Sequence, residues 1–280
     1  MKKLFLFTTL ILAHFASHSQ AYKSIDKVMY RCEYELIYQL DSSDRKSQKT
    51  ENMLLLVGDS SSVFYSKNEY LKDSIYVAKK VWDLKPEEKI ALNESIPKAN
   101  IKYKIIKHQR SKETLFRENI FRDTFEYTEP SNEFNWEVLD STKVILGYHC
   151  QKATTNFGGR TYEAWFSPEL PISDGPYKFN GLPGLIISIN DTKKYYNFQL
   201  VGFKSVQNQD ILIPKAKVFK TSKKTFIEKK LEFETAPFKA ITQNNSNMTF
   251  STGGSEISAQ TMDKLVQTEL KKKNNPIELK

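Results

Sequence analysis

From Val28 to Leu40 the chain reads VMYRCEYELIYQL. Tyr30, Cys32, Tyr34, Leu36, Tyr38 and Leu40 fall on one side, with Arg31, Glu33, Glu35 and Gln39 mostly on the other. Successive side chains of an extended backbone point to opposite faces, so this alternation predicts a strand with one buried face. After the polar turn DSSDRKSQKT, the segments NMLLLVG and SVFYSK read as two further strands joined at GDSS. The period then changes: Leu71, Ile75, Ala78 and Trp82 recur at spacings of three and four, which predicts a helix over Glu69 to Trp82, after the third strand. Pro86 and Pro97 bracket a passage read as irregular. From Ile101 onward short alternating segments return, among them IKYKIIKH, TLFRENI, KVILGYHCQKATTNF, RTYEAWFS and YYNFQLVGF. Polar turns separate them, not helical patterns, which argues for an antiparallel sheet over βαβ units. KKTFIEKKLEFETAP and SAQTMDKLVQTELKKK read as C-terminal helices around a polar link, TQNNSNMTFSTGGS, read as a loop. The expected fold is mainly β with minor α: a curved antiparallel sheet or open half-barrel, one helix after the third strand, and helices at the C-terminus. Neither a repeat nor a Pro- or Ser-rich linker divides the chain, so residues 20–280 are expected to form a single domain.

The first nineteen residues change the picture of where the chain works. Lys2 and Lys3 precede an apolar run from Leu4 to Phe15, and Ala16, Ser17 and Ser19 follow, the order of a cleaved signal peptide. The run is interrupted by His14 and is the weaker candidate for a membrane span of about 20 apolar residues. Cleavage after Ser19 leaves Gln20 at the new terminus, with cleavage after Ala21 as the near alternative. No cysteine stands at the junction to take a lipid anchor, so a periplasmic or secreted location is expected. Removing Lys2 and Lys3 takes the formal net charge from +9 to +7. Positive charge thickens in KAKVFKTSKKTFIEKK and LKKKNNPIELK, where it alternates with apolar residues. Such segments can touch an anionic membrane surface or an acidic partner, or can be solvated helix faces, the commoner case. Nucleic acid is not expected as a partner, since neither zinc-finger spacing nor an RNA-binding signature is present.

The stretch GPYKFNGLPGLIISIN is more constrained than a turn requires. Pro176 and Pro183 restrict φ, while Gly175, Gly181 and Gly184 permit positive φ or close backbone approach. The loop holds one shape and feeds LIISI, a run suited to a strand covered on both faces. Tyr177 and Phe179 are expected over the open end of the sheet, as hydrophobic plugs or as the lip of a ligand groove. An ordered set carries a family likeness: Gly147, Cys150, Gly159, Arg160, Ala164 to Phe166, Pro168 to Ile172, Gly175, Pro176, Lys178, Phe179, then Gly181, Leu182, Pro183, Gly184, Leu185 and Ile186, and the ending NNPIEL at Asn274 to Leu279. In these residues the chain resembles the GLPGLI family, exported proteins of Bacteroidota with no settled biochemical activity. Many members resembling it carry a cysteine where this chain has Asn180, so a disulfide from Cys150 to that position is impossible here. Cys32 is the other cysteine. A Cys32–Cys150 disulfide is a candidate in an exported chain, against the alternative of two buried free thiols.

Candidate chemistry is thin. His108 and His149 are the histidines that survive signal removal, and HExxH and CxxC spacings are absent, so neither a metal nor a cofactor is expected. His149 and Cys150 are adjacent in a strand and face opposite ways, which separates them as a nucleophile and base. GLPG lacks the lysine and helix start of a phosphate-cradling loop. Glu163, Glu169, Asp174 and Asp191 could supply a paired acid and base, or could cap backbone N–H groups beside turns. Arg160 with Trp165 offers a cation and aromatic surface near the loop; if buried, Arg160 needs a carboxylate, with Asp174 as the candidate and Glu163 on the opposite face. Arg160, Trp165, Tyr177, Lys178 and Phe179 are the candidate binding residues, with Lys178 expected at the surface. The functional expectation is a non-enzymatic binding or interaction protein of the cell envelope, its partner an envelope protein or an apolar small molecule. The alternatives are a carrier of lipid or acylated cargo and an exported hydrolase. An apolar hollow favours the carrier, two carboxylates in one cleft the hydrolase, and a filled concave face an interaction module.

Overall fold

A computed structural model describes residues 21–131, 134–244, 250–252 and 255–279. The expected signal peptide lies outside the described residues. The strands are β1 (Tyr22–Lys27), β2 (Tyr30–Asp41), β3 (Asp44–Val57), β4 (Ser61–Ser66), β5 (Lys104–His108), β6 (Glu113–Ile120), β7 (Asp123–Pro130) and β8 (Glu137–Ile145). They continue with β9 (Tyr148–Phe157), β10 (Arg160–Ser167), β11 (Leu185–Asp191), β12 (Tyr196–Ser205), β13 (Asp210–Pro214), β14 (Val218–Lys220), β15 (Phe250–Thr252) and β16 (Ser255–Ile257). The helices are α1 (Lys67–Ala78), α2 (Pro86–Ser95), α3 (Lys223–Thr235), α4 (Pro237–Asn244) and α5 (Ala259–Leu270).

One large open sheet runs in the order β14-β7-β6-β5-β4-β3-β2-β12-β11-β10-β9-β8. Its neighbours are antiparallel except for the short parallel pair of β14 with β7. β2 buries Cys32, Tyr34, Leu36 and Tyr38, as its alternation predicts. The unbroken apolar runs of β3 and β4 have another cause. Met53, Leu55 and Phe64 face the main core, while Leu54, Leu56, Val63 and Tyr65 face a second core on the other side. The β1–β13 ribbon supplies Ile211 and Ile213 to that second core, with Tyr70 of α1 packed against it. Strands covered on both faces have no polar side to alternate with.

The helix expected after the third strand does follow that segment, SVFYSK, which is β4 because Tyr22–Lys27 forms an additional strand outside the large sheet. Two details differ from the sequence expectation. The passage between the two prolines holds α2, with Pro86 in its first turn, where a missing N–H costs nothing. The polar link begins with the end of α4 and carries the short β15–β16 hairpin, and residues 245–249 and 253–254 of it lie outside the described residues. The candidate disulfide is also corrected: Cys32 and Cys150 are free and buried. Cys32 is on β2 and Cys150 on β9, with β12, β11 and β10 between them. Four strand spacings of about 4.8 Å make roughly 19 Å along the sheet, beyond the Cα separation of about 7 Å that a disulfide spans.

Between β10 and β11, residues 168–184 turn inward and fill the main core. Tyr177, Phe179 and Leu182 are buried there with Ile186, whose carbonyl accepts from Tyr34 Oη at 2.7 Å. Gly175 packs so closely on Ile186 that a Cβ would lie 2.7 Å from its Cδ1. At Gly184, φ is +155° and a Cβ would stand 2.1 Å from the backbone oxygen of Ser167. Backbone cannot yield as a flexible side chain does. Gly184→Val is therefore expected to cost more than the about 1–3 kcal/mol of ordinary overpacking, and Leu185→Ala about 2–5 kcal/mol as a core truncation. Thermal melts beside the parent check both, and unchanged melting of the pair would remove the structural role of the motif.

Candidate functional site

Burying this loop takes charged groups into the core, and each finds a partner. Lys178 is 1 % exposed. Its Nζ lies 2.5 Å from Glu129 Oε1 on β7 and 2.7 Å from Glu278 Oε1 near the C-terminus. The ammonium also lies over the rings of Phe116, Tyr127 and Tyr177, 5.3 to 5.6 Å from their centroids. Glu278 is held further by Lys223 Nζ at 2.5 Å and by Tyr177 Oη at 2.5 Å. Burial works to raise the affinity of Glu278 for a proton, but the Lys178 charge and the hydrogen bonds outweigh it and hold the carboxyl below the ordinary range. Burial alone pushes the Tyr177 hydroxyl far up, and Glu278 adds to it. Asp174 is paired with Lys107 of β5 and caps Gly175 N at 2.7 Å. Lys107 also donates to Gly175 O at 2.8 Å, which fixes the start of the loop to the opposite wall of the sheet.

Arg160 is buried at the start of β10 and is held by three acceptors: Asp191 Oδ2 at 3.4 Å, Asn275 Oδ1 at 2.5 Å and Pro276 O at 2.6 Å. The expected partner, Asp174, is with Lys107 instead. Asp191 also caps Tyr196 N at 2.7 Å, the role expected of a carboxylate after a strand. Trp165 does not join Arg160. An odd residue spacing along β10 turns it to the other face, where Lys143 Nζ lies 4.0 Å over its ring. Glu163 shares that other face, paired with Lys152 at 3.2 Å. Tyr177, Lys178 and Phe179 are together, but as buried residues; the expectation of Lys178 at the surface is overturned. Phe179 packs among Phe134, Phe157 and Tyr162, with ring centroids 4.7 to 5.4 Å away.

Open space lies at one end of the sheet. A cleft of about 740 Å³ is bounded by the Met29–Tyr30 and Val57–Asp59 segments, the β5–β6 turn and the loop residues Ile172, Ser173, Asn180 and Gly181. Lys107 and Asp174 lie at its inner side. His108, Gln109 and Lys112 supply polar groups, while Met29, Tyr30 and Phe134 supply apolar surface. His108 Nδ1 is 2.9 Å from Ser61 Oγ. Of the four carboxylates near the motif, Asp174 alone lines this cleft. Glu169 is exposed against His149 Nδ1 at 2.6 Å, where the hydrogen bond from that ring holds the carboxyl below its usual range. Sequence reasoning missed Lys107, Glu129 and Glu278. Their polar side chains on otherwise apolar strand faces, or in the NNPIEL ending, were the available signal.

Among the described residues no cluster of His, Cys, Asp and Glu could hold a metal ion, and no helix is long and apolar enough to cross a membrane. No curated protein matches the chain at a significant level. Two solved structures of PNGF-II, in P21 and C2 space groups, are similar in fold, with TM-scores of 0.53 and 0.52 at 11% identity. The likeness covers 74% of this chain but only 34% and 33% of theirs, so the chain spans about a third of the proteins it matches. At that identity the likeness concerns architecture alone. Over residues 158–188, from the β9–β10 turn through the buried loop into β11, the chain matches the model of a family described as a protein of unknown function, Porph_ging.

Proposed function

We propose that the chain is an exported binding or interaction protein of the cell envelope, of the GLPGLI kind, and that its ligand sits in the cleft beside the motif loop. The observation that carries this reading is the filled concave face. Tyr177, Phe179 and Leu182 occupy the hollow in which a carrier would hold apolar cargo, and the cleft beside the loop has a mixed lining. Its volume is in the range of small-molecule sites, roughly 300–1,000 Å³. Donors and acceptors of Lys107, His108, Gln109 and Asn180 beside Met29, Tyr30 and Phe134 suit a ligand with hydrogen-bonding groups next to an apolar part. The hydrolase reading finds less support, since Glu163, Glu169, Asp174 and Asp191 each answer to a different cation or histidine.

Ser173 is exposed and lines the cleft, so Ser173→Trp fills the site without touching the core. Mass spectrometry of proteins and small molecules that co-purify from the native envelope is expected to show a species with the parent and not with this variant. Stability is expected to stay within about 0.5 kcal/mol. An identical set of co-purifying species from both chains would overturn the assignment of the cleft.

A further inference from the structure

The α1–α2 hairpin is anchored at one end and unpacked at the other. Asp73 of α1 is buried and receives Tyr22 Oη at 2.9 Å and the Lys104 ammonium, which fixes α1 to the sheet. α2 buries no residue at all. A surface helix ordinarily turns an apolar stripe to the core, yet Ile90 of α2 is 60 % exposed. At the tip between the helices the chain reads KKVWDLKP, where Val81–Asp83 form a 3-10 turn entered through Lys80 at φ +46°. Trp82 is 37 % exposed at this tip, with Val81 and Leu84 half-buried beside it. Lys79, Lys80 and Lys85 are exposed around it and are in no ion pair among the described residues. Asp83 is the one acidic residue within the tip, and Glu88 is turned back onto Lys85 N at 2.8 Å.

In the basic C-terminal segments, which by composition suit a membrane or acidic-partner contact or, more commonly, solvated helix faces, part of the charge is paired. Lys223 is paired with Glu278, Lys230 with Glu118 and Lys229 with Glu232. Three lysines of these segments are thereby neutralised within the protein.

We propose that the α1–α2 tip docks on an anionic membrane surface. Trp82 seats at headgroup level, where an amphipathic ring is favoured, with Val81 and Leu84 beneath it. Lys79, Lys80 and Lys85 face the lipid phosphates. Each basic residue near an anionic surface strengthens binding about fivefold, and the rigid base at Asp73 presents the three together.

Sedimentation of the mature chain with phosphatidylcholine vesicles, with and without phosphatidylglycerol, tests this. The chain is expected to sediment with the anionic vesicles alone, with a blue shift of tryptophan emission. Trp82→Phe should abolish the shift. The triple variant Lys79→Glu, Lys80→Glu, Lys85→Glu should lose binding by at least about fivefold per lysine, and both variants should melt with the parent. Absence of sedimentation with anionic vesicles overturns the proposal. So does undiminished binding by the triple variant, which would assign the contact to another surface.

Discussion

Lys178→Ala is expected to lower stability by about 3–5 kcal/mol, the range for removing one partner of a buried ion pair. The ammonium is enclosed between Glu129 and Glu278 and three aromatic rings, so its loss leaves two carboxylates facing a methyl group in the core. Lys223 reaches both, at 3.5 and 2.5 Å, but it is a third exposed and cannot replace the central charge. Thermal and urea melts read the effect. The cause separates from simple truncation in a second variant: Lys178→Met with Glu278→Gln removes charge from both sides, and such matched replacement is often neutral where single removal is not. The pair of changes should therefore recover much of the loss. A Lys178→Ala chain within about 0.5 kcal/mol of the parent, the range of exposed substitutions, would place this lysine outside the core network.

That expectation reverses what the sequence alone implies for Lys178, and the reversal is instructive. Periodicity reads neighbours within one element, so β2 was legible from its alternation and β11 from its unbroken apolar run. The close packing of the motif loop was legible from its glycines, which permit close backbone approach, as Gly184 makes to Ser167. The charges were not. Glu129 and Glu278 lie 49 and 100 residues from Lys178 in the chain, and only the sheet order brings β7 and the C-terminus to the loop. A lysine among aromatics looks like a surface residue until its carboxylates are in place. Arg160 was half legible: its need for an acceptor was foreseen, its choice of Asp191 across β11 was not. Trp165 was fully legible and misread, because five positions of a strand separate it from Arg160 and an odd count changes face. The cleft lies at the other extreme. It is built from turns that no local pattern connects.

Removing Asn274–Lys280 is expected to abolish the cooperative melting transition. Residues 274–279 have no regular secondary structure, yet side chains from several strands receive them as they would a bound peptide. Asn275 is buried, with its Nδ2 donating to Gln39 O at 2.8 Å and its N–H to Leu40 O at 3.2 Å. Tyr196 Oη donates to Asn275 O at 2.7 Å, Tyr162 Oη to Ile277 O at 3.2 Å, and Leu279 N to Gly158 O at 2.6 Å. Deletion strips Arg160 of two of its three acceptors and Lys178 of one of its two carboxylates. Each such loss alone costs about 3–5 kcal/mol when the remaining charge stays buried, and the two together match the whole stability of an ordinary domain, about 5–15 kcal/mol. The NNPIEL ending and the GLPGLI loop are thus two halves of one buried arrangement. Circular dichroism melts of the truncated chain decide the matter. Asn275→Leu, which keeps the segment but removes one of the three acceptors of Arg160, should fall between the truncated chain and the parent. A truncated chain that melts with the parent would mean that Arg160 and Lys178 find water or other acceptors when the segment leaves, and that the ending contributes nothing to the fold.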